Sequence, residues 1–375
     1  MLLFLMSKNT HYLFSSQFFS MSKRQKLSEP DAQFEGLPDE VILKILGYLK
    51  GTRGLIYCGH LSRRIRAISQ DETLWQKINL SRQNIPTGFL QMVLNNGCKY
   101  LTLRSSYIHG ILKLNRPTQL QYLDLTKTKS SSDEVLDELL GSCYSLQKLS
   151  VKHSKISLVN KICQQNWKSL KVLNFEKRGL ESLDMESIKL AVKSCAEIKE
   201  LNLAGIDLSE DAINVLVNNL TPKIEKLNLS WIGRFWLRPG GVNDEQIKTL
   251  VDRCKKITSL NLRNCAISDN SITSIIGNLQ SLEELDVTRC KKLSYNKLLE
   301  LKLLPKLKLL NCLDAGDYDY RGMETKLKRE MPYLIFSKYL EFANTRNSGN
   351  FIHDGIWEIK ADHFQLFREP GEPLH

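Results

Sequence analysis

A three-residue phrase of alternating character returns along this chain at a nearly constant phase. It reads Leu101-Thr102-Leu103, Leu123-Asp124-Leu125, Leu149-Ser150-Val151, Leu173-Asn174-Phe175, Leu201-Asn202-Leu203, Leu227-Asn228-Leu229, Leu260-Asn261-Leu262 and Leu285-Asp286-Val287. Weaker copies stand at Ile78-Asn79-Leu80 and Leu310-Asn311-Cys312. From Leu101 to Leu310 the copies lie 22 to 28 residues apart, with one interval of 33. Most carry another Leu or Ile three residues upstream, giving L-x-x-L-x-L. Alternation over three residues is the period of a strand, so the outer residues face inward and the middle one faces the opposite side. A unit of this length cannot bury its own apolar face, so units must stack. The expected architecture is a solenoid, with parallel strands lining a concave face.

The segments between the phrases begin like helices. Ser131-Ser132-Asp133-Glu134, Leu208-Ser209-Glu210-Asp211, Val242-Asn243-Asp244-Glu245 and Ile267-Ser268-Asp269-Asn270 each put a capping Ser or Asn before an acidic first turn. Cysteines keep phase too. Cys143, Cys195 and Cys254 each stand six residues before the next L-x-L, and Cys265 and Cys290 five residues after the start of theirs. Residues locked to the repeat in this way read as small buried spacers. The pattern resembles the cysteine-containing leucine-rich repeat. The fold class expected is therefore α/β, a leucine-rich-repeat solenoid.

The chain has 375 residues and a formal net charge of +12. Its Lys and Arg are scattered through the repeats, which points to solubility and to acidic or phosphorylated protein partners. No basic run accompanies a nucleic-acid motif, so no nucleic acid is expected. No stretch of 18 apolar residues occurs, so no membrane helix is expected. Nine cysteines form no CxxC pair, which leaves no metal site or cofactor expected. Residues 1–33 read as a disordered N-terminus, in which both Met1 and Met21 are possible starts. Ser22-Lys23-Arg24-Gln25-Lys26 reads either as a nuclear-import cluster or as a solvated tail.

Residues 34–76 do not follow the repeat. Gly36-Leu37-Pro38-Asp39-Glu40 opens a helix with two carboxylates at its positive end. Val41, Ile42, Ile45, Leu46 and Leu49 then share an apolar face. Asp71-Glu72-Thr73-Leu74-Trp75 closes the segment. These residues resemble the F-box, a small all-α module that docks a Skp-type adaptor and through it a cullin–RING ubiquitin ligase. One departure is visible: Arg63-Arg64-Ile65 stands where many F-boxes have Trp after a basic pair. The resemblance implies adaptor contacts by Leu37, Pro38, Val41, Ile42, Ile45, Leu46, Leu49, Leu74 and Trp75.

Repeats are expected over 77–336 and a tail over 337–375. The middle residues Thr102, Asp124, Ser150, Asn174, Asn202, Asn228, Asn261, Asp286 and Asn311 predict a polar concave row. The long interval holds Trp231-Ile232-Gly233-Arg234-Phe235-Trp236-Leu237-Arg238-Pro239-Gly240-Gly241. Its aromatics and arginines suit a contact surface, or they fold back onto the solenoid; both readings stand. Ile356, Trp357 and Ile359 alternate with polar residues like a strand that must dock to bury itself. F-box, repeats and tail together resemble the F-box leucine-rich-repeat substrate receptors. That resemblance implies a tail lying on the concave face, and a surface for substrate or a small cyclin-kinase-subunit accessory protein around Arg234, Trp236, Arg263, Arg289 and Tyr339. It implies a non-catalytic receptor in nucleus and cytoplasm that presents phosphorylated cell-cycle proteins, such as a cyclin-dependent-kinase inhibitor, for polyubiquitination. An interaction scaffold without a ligase is the competing reading. No nucleophile–base spacing or phosphate loop suggests an enzyme.

Overall fold

A computed structural model of the chain describes residues 36–49, 52–153, 168–176, 195–233, 241–316 and 320–336. The expectations for residues 1–33, for Arg234 and Trp236, and for the tail with Tyr339, Ile356, Trp357 and Ile359 fall outside these residues. The chain divides into two compact units, one ending at Leu74 and the other continuing from Trp75.

The first unit contains helices α1 (Asp39–Gly47), α2 (Thr52–Cys58) and α3 (Arg63–Ser69). Pro38 precedes α1 with φ −56°, already in place for the first turn, and Asp39 and Glu40 occupy the positive end of the helix. Ser62 caps α3, its hydroxyl accepting from the Ile65 amide at 3.1 Å. Ile42, Leu46, Leu55, Cys58 and Ile65 are buried and form the interior. A fourth helical turn, α4 (Glu72–Trp75), follows.

The second unit carries the strands. In chain order they are β1 (Lys77–Asn79), β2 (Asn84–Pro86), β3 (Tyr100–Thr102), β4 (Tyr107–His109), β5 (Tyr122–Asp124), β6 (Lys129–Ser130) and β7 (Lys148–Ser150). They continue as β8 (Val172–Asn174), β9 (Glu200–Asn202), β10 (Lys226–Asn228), β11 (Ser259–Asn261), β12 (Glu284–Asp286), β13 (Leu309–Asn311) and β14 (Ile335–Phe336). Eleven of them make one parallel sheet, β1-β3-β5-β7-β8-β9-β10-β11-β12-β13-β14, and β2-β4-β6 make a second small one. The register is uniform: Leu101 pairs with Leu123, Leu227 with Leu260, Leu285 with Leu310. Each phrase therefore stacks its leucine on the next, and these leucines are buried throughout.

Among the described residues, nine strands of the long sheet end in the same turn. The third residue after the middle of the phrase takes the left-handed conformation: Arg82, Ser105, Lys127, His153, Gly205, Trp231, Asn264, Arg289 and Asp314 have φ between 54° and 71°. The middle side chain supports that turn. Oδ1 of Asp124, Asn202, Asn228, Asn261 and Asp286 accepts from the amide two residues on, at 2.8–3.0 Å. The turn amide then donates to the next repeat, as Arg82 does to Arg104 O and Lys127 to Lys152 O. The expected polar row is thereby closed rather than open to solvent: Thr102, Ser150, Asn174, Asn202, Asn228, Asn261, Asp286 and Asn311 are buried, at 4–8% exposure, because the turn and the neighbouring strand enclose them.

Helices α5 (Thr87–Asn95), α6 (Asp133–Gly141), α7 (Glu210–Asn219), α8 (Asp244–Arg253), α9 (Asp269–Asn278), α10 (Tyr295–Leu299) and α11 (Tyr320–Glu330) complete the repeats. The predicted caps hold for three of them. Ser209 accepts from the Ala212 amide, Ser268 from that of Asn270, and Asn243 forms a reciprocal box with Gln246. Ser132 makes no side-chain cap. The 22-residue repeat after Leu101 has no helix. Its extended stretch is held instead by neighbouring helices, through Gln91 Nε2 to Lys113 O at 2.8 Å and the Leu114 amide to Glu138 Oε1 at 2.7 Å. The long interval closes at Gly241, whose φ is +105° and where a Cβ would stand 2.8 Å from the Ile232 carbonyl oxygen. All eight described cysteines are buried. Burial pushes the thiols of Cys98, Cys195, Cys265 and Cys312 up to about 12 and those of Cys143 and Cys254 to about 11, so they are neutral spacers.

Candidate functional site

In the first unit the exposed face of α1 is narrower than its pattern suggests. Val41 is 41% exposed and Pro38 is exposed, with Leu37, Ile45, Leu49 and Leu74 partly so. Ile42 and Leu46 are at 0% and 3%, and Trp75 is at 3%. These three are thus corrected from contact residues to buried ones: on a nine-residue helix, Ile42 and Leu46 are one turn apart on the face that packs inward. Arg64, from the basic pair that departs from the F-box pattern, grips the helix opening. Its Nη2 donates to the Leu37 carbonyl at 2.6 Å and to Asp39 Oδ1 at 2.5 Å, and its Nε donates to the same oxygen at 2.8 Å. A fixed guanidinium fork suits this double task. Nothing in the spacing of residues 37 to 64 announces it.

In the second unit the predicted arginines are present but occupied. Arg289 stands in its left-handed turn with its guanidinium 5.5 Å from the centre of the Trp231 ring and its Nε 3.8 Å from Asp314 Oδ2. Lys291 pairs with the other oxygen of Asp314. Arg263 is half-buried and lies in the field of Asp286. Burial raises the Asp286 carboxyl above its ordinary value; Thr288, Arg263 and Asn311 offset part of that. So Arg263 and Arg289, expected at the substrate or accessory-protein surface, form a braced cluster in which Asp286 and Asp314 share their charge.

Three solvent-exposed cations line the turns at the other end. Arg82, Arg104 and Lys127 are exposed at the turns after β1, β3 and β5. Arg104 stands two residues beyond its phrase centre; Arg82 and Lys127 occupy the left-handed position, which the repeat alignment marks but which alternation alone does not. Among the described residues no group of three His, Cys, Asp or Glu is placed to hold a metal.

Comparison with known proteins fits this anatomy. The family described as SKP2 LRR domain matches residues 88–335, well over half of the chain. The chain belongs to this family. The family described as F-box-like matches residues 34–81. An F-box protein of Arabidopsis thaliana, SKIP17, is 25% identical over 337 residues, which is 88% of this chain. This chain spans 59% of that relative's length. Among solved structures, the yeast Rad7 and Elc1 complex matches with a TM-score of 0.52 at 16% identity, over 80% of this chain and 87% of that one. At that identity the likeness speaks for the fold.

Proposed function

We propose that this chain is the non-catalytic substrate-recognition subunit of a Skp–cullin–F-box E3 ubiquitin ligase. The observation that carries the reading is the Leu37-Pro38-Val41 edge at the start of α1, exposed at Pro38 and Val41, clamped by Arg64 and followed in the same chain by repeats of the SKP2 type. A Skp-type adaptor with a cullin–RING partner would take that edge, with Ile45, Leu49 and Leu74 at its margin. The receptor then holds a substrate lysine near the charged ubiquitin enzyme and raises its effective concentration. The substrate in this reading is a phosphorylated cell-cycle protein such as a cyclin-dependent-kinase inhibitor, in nucleus and cytoplasm. Arg289 supports the phosphate part, because Trp231 and Asp314 hold its guanidinium in place and Arg pairs with phosphate through two parallel bonds. A small cyclin-kinase-subunit accessory protein would share that surface with Arg234, Trp236 and Tyr339, and Ile356, Trp357 and Ile359 would dock the tail on the concave face.

Copurification tests the reading. Replacing Leu37 and Pro38 by Ala should remove a Skp-type adaptor from the purified complex while the repeats keep their thermal transition. Full retention of the adaptor by that variant, or its absence from the unaltered protein, would leave a leucine-rich-repeat scaffold without a ligase role.

A further inference from the structure

We propose that the turns ending the first strands form a separate docking surface for an extended, carboxylate-rich segment of a partner protein. This surface goes beyond the ligase reading and does not depend on it. The uniform register allows a row-by-row census of the residues on and just beyond the face opposite the leucines, beside β1, β3, β5 and β7. The rows two before the phrase centre, at the centre, two after and three after contain six cations: Lys77, Arg82, Arg104, Lys127, Lys148 and Lys152. They contain one acid, Asp124, which is half-buried and spends Oδ1 on the Thr126 amide. The same rows beside β10, β11, β12 and β13 contain three cations, Lys226, Arg263 and Arg289, and three acids, Glu284, Asp286 and Asp314. The excess is therefore a property of one end of the sheet.

Of the six, Lys152 is paired with Glu176 at 3.0 Å and Lys77 lies over the Tyr100 ring. Arg82, Arg104 and Lys127 make no ion pair among the described residues and are exposed. Their backbones are not loose. The amide of Arg82 donates to Arg104 O at 2.8 Å and that of Lys127 to Lys152 O at 2.9 Å, so the sheet sets the spacing of the charges. Arg82 and Lys127 are two strands apart, about 10 Å. An extended peptide crossing the strands repeats its side chains every ~7 Å on one face, within reach of such long cationic side chains. Geometry also favours a peptide over single-stranded nucleic acid. Base binding uses open aromatic faces for stacking, and here Tyr122 is buried while Lys77 covers Tyr100.

The test uses the full chain and a fluorescein-labelled decaglutamate peptide read by anisotropy at low salt, with a single-stranded decanucleotide as competitor. The triple variant Arg82→Glu, Arg104→Glu, Lys127→Glu should lose at least about tenfold in affinity, as reversal of complementary charge implies. Lys291→Ala at the far end should leave the affinity unchanged. If the triple variant fails to fold, the single variants Arg82→Ala and Lys127→Ala carry the test, each expected to weaken binding about twofold to threefold. Unchanged binding by folded variants overturns the surface. An oligonucleotide that displaces the peptide at a much lower concentration than free decaglutamate overturns the assignment to an acidic peptide.

Discussion

Strands β1, β3, β5 and β7 and the four from β10 to β13 are built to one plan and differ in charge, the first group strongly positive and the second balanced. Both stack an inward leucine on the next, and both end in a left-handed turn. At the first end the turn positions hold Arg82 and Lys127 without an ion-pair partner among the described residues; at the other, Arg289 and Lys291 converge on Asp314. The lesson concerns which positions are free to vary. Core and turn constrain the leucines and the middle residues, whereas Arg82, Arg104, Ser105 and Lys127, just beyond them at the first end, face solvent and can be spent on partners.

The largest effects should ignore this difference. Leu101→Ala and Leu285→Ala each remove a fully buried side chain, so each should cost ~2–5 kcal/mol in denaturant unfolding. A cost at one end several times that at the other would break the shared-core half of the comparison. Next come the middle residues. Asn228→Ala leaves the Ser230 amide without its acceptor in a buried turn, at about 1–3 kcal/mol. A loss below a few tenths would mean that the turn does not need its side chain.

Asp244 gives a comparable cost with a pH signature. Burial raises its carboxyl, but bonds from Ser268 and Ser271 outweigh that and hold it below the ordinary 3.8. A depressed folded value means that the stabilisation is full above the unfolded value and is lost as pH falls through the folded one. Asp244→Asn should therefore destabilise at neutral pH by about 1–3 kcal/mol, and the gap should close as pH falls through the titration of the Asp244 carboxyl. Asp286 differs in sign, since its raised carboxyl makes the fold lose stability as pH rises through its titration.

Smaller still, and sharpest for the comparison, is Asp314→Ala. Releasing Arg289 and Lys291 should shift the far end from balance to a small positive excess, strengthening decaglutamate binding about twofold to fivefold. Weaker binding would show that bracing, rather than charge alone, is what an anion needs there. Least affected should be Lys226→Ala. Its pair with Glu200, at 3.4 Å and well exposed, is worth within about 0.5 kcal/mol of nothing.

The period of the phrases, their phase-locked cysteines and the Ser and Asn caps determined by themselves that this chain is an α/β solenoid behind a small helical module. Such local rules act within one repeat, and a repeat of 22 to 33 residues states them many times over. What only the tertiary structure decided was which polar side chains remain available. Asn202 and Asn228 read as surface residues until the turn encloses them; Ile42 and Leu46 read as a docking face until α3 lies against α1. Arg289 reads as an open cation until Trp231 and Asp314 arrive from other repeats, 58 and 25 residues away in the chain. Burial and ion pairing depend on neighbours across strands, and alternation along a strand carries no record of them.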